Sequence, residues 1–250
     1  MRLAVAPFEN LSGDGSLDWV GAALAEVVSS QLAGSAEWAP VRVGGAADPA
    51  SAAARMMLSG YFTGSGDRLR LKVQLEDLTT RRVSKVYAAG RSRQEGVIEL
   101  GGAVARWLDP QAAPYETRNL KALRALSEGR LAASAKQAAA AFERAVIEEP
   151  GYGAAWAAWV QTLLASGDRS GAKSVLDKAK AQGERLPPRR RAELAYLDAV
   201  LMDDRGARRK ALSDLVRFSP ADAGLLRLLA AEETAAGDFP GALVIYENLL

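Results

Sequence analysis

The sequence predicts two parts of different class. The first is an α/β (or α+β) domain with a small mixed sheet, and the second is an all-α helical solenoid. Three observations carry this expectation. Apolar and polar residues alternate strictly from Leu69 to Glu76 and mark a half-buried strand. A segment at 110–114 with two prolines and no periodicity ends the strand signals. Beyond it, small and large apolar residues recur at a step of 34 to 35 residues.

The elements follow in order. Leu3 and Val5 read as a short buried strand ending at Pro7, and a polar, glycine-rich loop runs from Glu9 to Ser16. Leu17, Val20, Leu24, Val27, Val28 and Leu32 have helical spacing and predict a helix that stops near Gly34. Val41 and Val43 predict a short strand, and an alanine-rich helix is expected over Pro49 to Met57. Leu58 to Thr63 is the next strand, turning at Gly64-Ser65-Gly66-Asp67 into the alternating strand. Thr79-Thr80 marks a further turn, and Val83 to Ala88 returns as a strand. Val97, Leu100, Val104 and Leu108 form the stripe of a closing helix. The expected division is therefore residues 1–109 as one domain, 110–114 as linker, and 115–250 as helical repeats.

Composition narrows the chemistry. Apolar residues are 49% and charged residues 25% of 250, as in a globular chain. Ala is a fifth of the residues, which favours helices and close helix contact. The formal net charge is +2, too small for a strong overall field. There is no Cys and no His. Thiol nucleophiles, disulfides, imidazole bases and the usual zinc and haem ligands are thereby excluded. No catalytic residue, cofactor or metal site is expected. No stretch reaches the roughly 20 apolar residues of a membrane span. The segment after Leu3-Ala4-Val5-Ala6 turns polar at once, unlike a signal peptide. Taken literally the chain is expected in the cytoplasm. A strand at Met1 and a last helix apolar to its end point instead to a fragment, in which case an extracytoplasmic place following a membrane span is open.

The repeat is visible position by position. Ala138, Phe142 and Ala145 lie 34 residues before Ala172, Leu176 and Ala179. Gly167-Asp168 and Gly171-Ala172 lie 70 before Gly237-Asp238 and Gly241-Ala242, and Pro150 lies 70 before Pro220. This pattern resembles the tetratricopeptide repeat, in which paired helices stack with small residues at their crossings. The resemblance implies Trp156 and Trp159 in a first helix and Gly-Asp pairs between helices. The unit between Pro187 and Pro220 departs from it, because Arg208 falls where a small residue is expected.

The run from Leu3 to Asp14, with Pro7-Phe8-Glu9-Asn10 at its centre, resembles the opening of the TolB N-terminal-like domain. Ser59-Gly60-Tyr61-Phe62-Thr63 and Gly66-Asp67-Arg68-Leu69-Arg70 resemble that family's hairpin. The resemblance covers residues 2 to about 108 and implies a small mixed sheet with two or three helices. It carries no catalytic residues. It also implies that such a domain precedes tetratricopeptide repeats in bacterial signalling chains.

Candidate partner-binding residues are Tyr152, Trp156 and Trp159, as groove or as packing, and Arg189, Arg190 and Arg191, with Arg205, Arg208, Arg209 and Lys210 in the same basic cluster, as docking patch or as solvated helix face. The loop from Asn10 to Ser16 is either an anion cradle or an ordinary helix cap. Pairs such as Glu148-Glu149, Glu232-Glu233 and Asp203-Asp204 do not face each other in a helix and make no catalytic dyad. The expected function is a non-catalytic scaffold or sensory module, with the repeats holding a protein or peptide. Self-association through the C-terminal helix is a further expectation. One alternative is a regulatory fragment of a bacterial cyclase, kinase or transcriptional regulator. A second is RNA binding by the α/β domain, through Arg68, Arg70 and Lys72. Nucleic acid is not the expected partner, since residues 1–110 carry 12 acids and 12 bases.

Overall fold

The computed structural model describes residues 1–44, 53–65, 68–92, 96–247 and 249. Contacts divide the chain into two compact units, Met1–Leu131 and Ala132–Leu250. The first has a small mixed sheet with helices, and the second is all helix.

The first unit runs β1 (Arg2–Val5), β2 (Glu9–Asn10), α1 (Asp18–Leu32), β3 (Ala39–Arg42), β4 (Met56–Ser65), β5 (Arg68–Asp77), β6 (Arg82–Ser92), α2 (Gly96–Leu108) and α3 (Leu120–Leu131). The sheet order is β3-β1-β4-β5-β6, with β2 also beside β4. β1 runs parallel to β3 and β4, whereas β4, β5 and β6 are antiparallel. β1 and β2 occupy successive stretches of β4, with Leu3 beside Met56 and Glu9 beside Tyr61. Pro7 between them has no N–H to give the sheet, and the Phe8 N–H turns to the Gly21 carbonyl at 3.2 Å.

One sheet face is dry. Leu69, Leu71, Val73 and Leu75 of β5 are at most 2% exposed, while Arg68, Arg70, Lys72 and Gln74 alternate outward. Helices α1 and α2 pack on each other; α1 also contacts β3 and β2, and α2 contacts β6 and β5. Their crossing needs a glycine, because a Cβ on Gly101 would lie 2.7 Å from Val27 Cγ1. Twelve residues of α1 are buried, so its apolar pattern extends all round and not along one stripe. Its one buried carboxylate, Glu26, pairs with Arg42 of β3 and, at 2.9 Å, with Arg130 of α3.

Three elements differ from the sequence expectation. Residues 49–52 of the alanine-rich helix lie outside the described residues, and Met56–Met57 begin β4. The long partner β5 pairs them opposite Asp77 and Glu76, so sheet pairing overrides helix propensity. Glu9–Asn10, expected in a loop, form β2. The segment 110–114 lies inside the first unit, because α3 beyond it packs on α1. Part of the expected Gly64–Asp67 turn, Gly66 and Asp67, also lies outside the described residues.

The second unit comprises α4 (Ala135–Glu148), α5 (Gly153–Ala165), α6 (Arg169–Lys180), α7 (Pro188–Met202), α8 (Arg205–Phe218), α9 (Ala223–Ala235) and α10 (Phe239–Glu247). Each packs on its neighbours in sequence, and α5 also packs on α7. The turns into α6, α8 and α10 share one construction. Gly167, Asp203 and Gly237 take φ of +82, +53 and +81°. The next residue's N–H then reaches back to close the preceding helix, from Asp168 to Leu163, Asp204 to Ala199 and Asp238 to Glu233. That same aspartate caps the following helix by accepting from Gly171, Ala207 or Gly241 at 2.8 to 3.0 Å. Ser134 caps α4 in the same way.

The caps measure the repeat. Ser134 to Asp168 and Asp204 to Asp238 are 34 residues, and Asp168 to Asp204 is 36. The longer step coincides with a 3-10 turn, Gly183–Arg185, between α6 and α7. Four residues after their caps, Ala138, Ala172 and Ala242 are buried at 7%, 0% and 4% exposure. Arg208 takes that position in α8, and its Nε lies 2.6 Å from Glu232 Oε1 of α9.

The left-handed turn positions supply a test. Gly167→Ala is expected to lower stability by about 1 kcal/mol, the usual cost of a Cβ in that conformation. Asp203→Gly, which relieves the same strain, is expected to raise the urea midpoint of the helical unit. Equal destabilisation by both substitutions would contradict the turn geometry.

Candidate functional site

A groove of about 760 Å³ lies on α7 and α8, reached by Lys180 of α6. Helical spacing builds it. Pro188, Arg191, Ala192, Ala195 and Asp198 recur every three or four residues on α7. Ala207, Lys210, Ala211, Asp214 and Arg217 do so on α8, with Phe218 at its end. The α7 wall from Pro188 to Asp198 is about 15 Å long at the helical rise. Its floor is alanine, so a bound chain can approach the two helices closely.

The rim is charged and unbalanced. Among the lining residues, Lys180, Arg191, Lys210 and Arg217 stand against Asp198 and Asp214, an excess of two positive charges. Asp198 is engaged by Lys180 at 2.6 Å and by Lys173 at 3.6 Å. Asp214 pairs with Arg217, and Arg191 with Glu184 outside the groove. Lys210 enters no ion pair among the described residues. The hydrogen bond to Asp177, with the field of Asp198, holds the Lys173 ammonium above its usual pKa.

The sequence-derived candidates disperse. Tyr152, Trp156 and Trp159 are buried, at 0%, 5% and 8% exposure. The two indoles stack at 6.0 Å with 16° between planes, and Trp156 Nε1 donates to the Pro150 carbonyl at 2.8 Å. Arg189 donates to Ser219 Oγ at 3.3 Å. Arg190 is 8% exposed, pairs with Glu193 at 2.8 Å, and lays its stem against Gly153. Arg191 alone of the six borders the groove. Consecutive residues on a helix point about 100° apart, so three arginines in a row cannot form one patch. Lys210, which the sequence groups with the same basic cluster, also borders the groove. The missed residues, Ala195 above all, carry a signal only when α7 and α8 are aligned with each other.

The other candidates resolve locally. Asn10 Nδ2 donates to the Asp14 carbonyl at 2.9 Å and to Asp18 Oδ1 at 2.7 Å, while Asp14 accepts from Ser16 N–H at 3.0 Å. Asp14 thus caps the 3-10 turn Gly15–Leu17 that leads into α1, in keeping with the cap reading, while α1 itself has no side-chain cap. Glu232 and Glu233 pair separately with Arg208 and Arg209, and Asp204 is a cap. On the open face of the sheet, Arg68, Arg70 and Lys72 line a shallow depression with Tyr61, Thr63, Ala88 and Gly90. No helix among the described residues is long and apolar enough to cross a membrane.

No protein-family model matches this chain, and no curated protein matches it. Among solved structures it is similar to a single-substitution variant of the PelC dodecamer from Paraburkholderia phytofirmans, at 20% identity and a TM-score of 0.34. That alignment covers 45% of this chain and 89% of that one. The PelC dodecamer of the same organism without that substitution aligns at 19% identity, with the same coverage and a TM-score of 0.33. TolB from Acinetobacter baumannii aligns at 16% identity and a TM-score of 0.32, over 44% of this chain and 28% of that one.

Burial of the indoles has a measurable consequence. Trp156→Ala is expected to cost about 3 to 5 kcal/mol in urea unfolding of the helical unit, as for other buried aromatics. Arg189→Ala is expected to stay within about 0.5 kcal/mol. A Trp156→Ala protein of unchanged stability would return that side chain to the list of surface contacts.

Proposed function

We propose that the chain is a non-catalytic binding module, in which a TolB N-terminal-like domain precedes an array of the tetratricopeptide kind that holds a protein or peptide. The groove between α7 and α8 carries this reading. It combines an alanine floor, a length suited to a short segment, and an excess of two positive charges. Such a surface fits an acidic segment, whose carboxylates find Lys210 and Arg217 while its backbone lies on the alanines. The absence of Cys and His from the sequence supports a role without imidazole or thiol chemistry.

Selection from a random peptide library tests this. Recovered peptides are expected to be rich in Asp and Glu, with affinity falling as salt rises. Ala195→Trp, which fills the floor without changing charge, is expected to weaken them at least about tenfold, a loss of about 1.4 kcal/mol. Lys210→Glu is expected to do the same. Peptides that bind both variants as well as the original chain would contradict the groove.

A second reading rests on the sheet. Arg68, Arg70 and Lys72 are exposed on alternate residues of one strand, about 6.8 Å apart, with Tyr61 on the neighbouring strand. This is a surface on which single-stranded RNA can lay its phosphates. Retention on a poly-uridine column at low salt, lost in Lys72→Glu, is the expected result for that reading. Passage through the column at low salt removes it.

A further inference from the structure

The groove between α7 and α8 differs at its two ends. The helices are joined through Asp203 and Asp204 and pack on each other, so they run antiparallel. Asp198 and Lys210 therefore lie toward the turn, while Pro188 and Phe218 lie at the far end, where α7 begins and α8 finishes. Toward the turn, Asp198 is taken up by Lys180 and Lys173, and Lys210 enters no ion pair among the described residues. At the far end the guanidiniums are already met, Arg217 by Asp214 and Arg191 by Glu184. That end offers carbon instead: Pro188 is exposed, and Phe218 is 37% exposed.

Stacking of the repeat calls for neither Lys210 nor Phe218. Counted from the capping residue, Lys210 is sixth in its unit, a place held by Ala140 after Ser134 and by Ser174 after Asp168. Phe218 is fourteenth, where those two units have Glu148 and Gln182. The unpaired cation and the exposed ring are thus particular to this unit, and both border its groove. Pro188 has a local cause, since proline suits the first turn of a helix.

We infer that the groove selects a segment carrying an acidic residue and, three or four positions away, a large apolar one, aromatic by preference. This rests on the reading of the groove as a peptide site and narrows its ligand. Lys210 and Phe218 are eight residues apart on α8, about 12 Å at the helical rise. An extended chain spans that distance in three to four residues at about 3.3 Å each. The carboxylate meets Lys210, whose charge nothing within the described residues pairs. The apolar side chain lies on the Phe218 ring and against Pro188, taking all three out of water, and an aromatic one adds ring stacking. An acidic segment without such a residue would satisfy one end of the groove and leave the other wet.

The random peptide library supplies the ligands for the test. Recovered peptides are expected to share a Phe, Tyr, Trp or Leu three or four positions from an Asp or Glu. Phe218→Ser is expected to weaken such a peptide at least about tenfold. Replacing the apolar residue of the peptide by Ser is expected to weaken it as much on the original chain, and to add little on Phe218→Ser, because both changes remove one contact. The peptide change leaves the protein untouched and so guards against a fold defect in the variant. Acidic peptides with no apolar residue at that distance, bound as well by Phe218→Ser as by the original chain, would overturn the inference and leave the groove standing. Peptides indifferent to Ala195→Trp would remove the groove, and the inference with it.

Discussion

Close approach of backbones at small residues is the constraint on which both units depend. In the first, Gly101 meets Val27 where α2 crosses α1, at a distance that no Cβ could share. In the second, Ala145, Ala172 and Ala179 are wholly buried. Each lets two helices come near enough for larger neighbours such as Phe142 and Leu176 to fill the space beside them. Packing at this density tolerates little change of volume, which is why the small residues recur at a fixed step. The richness of the chain in Ala is thus a property of the crossings as much as of helix propensity.

Polar groups then fix what apolar packing leaves free. One aspartate at each of three turns finishes the preceding helix with its N–H and starts the next with its carboxylate. Where the alanine rule lapses at Arg208, Glu232 meets the guanidinium and the helices still pair. In the first unit Glu26 plays a comparable part, drawing Arg42 and Arg130 from two other elements onto α1. Such buried pairs contribute little net stability but penalise any packing that separates them.

Much of this architecture was legible in the sequence, and the failures have physical causes. The strand alternation of Leu69 to Leu75 and the step of 34 could be read directly, because each buried face leaves a period of its own. The second step of 70 concealed one unit of 34 and one of 36, since its two extra residues fall in a connection without periodicity. Strand β2 is too short to leave a period, and the first residues of β4 are strand only because β5 lies beside them. The aromatic residues left two readings open, groove or packing. Trp156 and Trp159 have the size that a core between helices takes up, and sequence alone does not say which side of a helix is covered. The groove was invisible because its floor is the commonest residue in the chain, and its rim joins residues from three helices.

Binding by such an array requires that the stacked helices behave as one body, since a groove made by two of them exists only while both are held. Hydrogen exchange on Ala172→Leu examines this dependence most directly. If the close crossings hold the stack, the added bulk lowers amide protection in α5, α6 and α7 together, because α6 packs on both of the others. Protection lost in α6 alone, or in none of the three, would contradict the account.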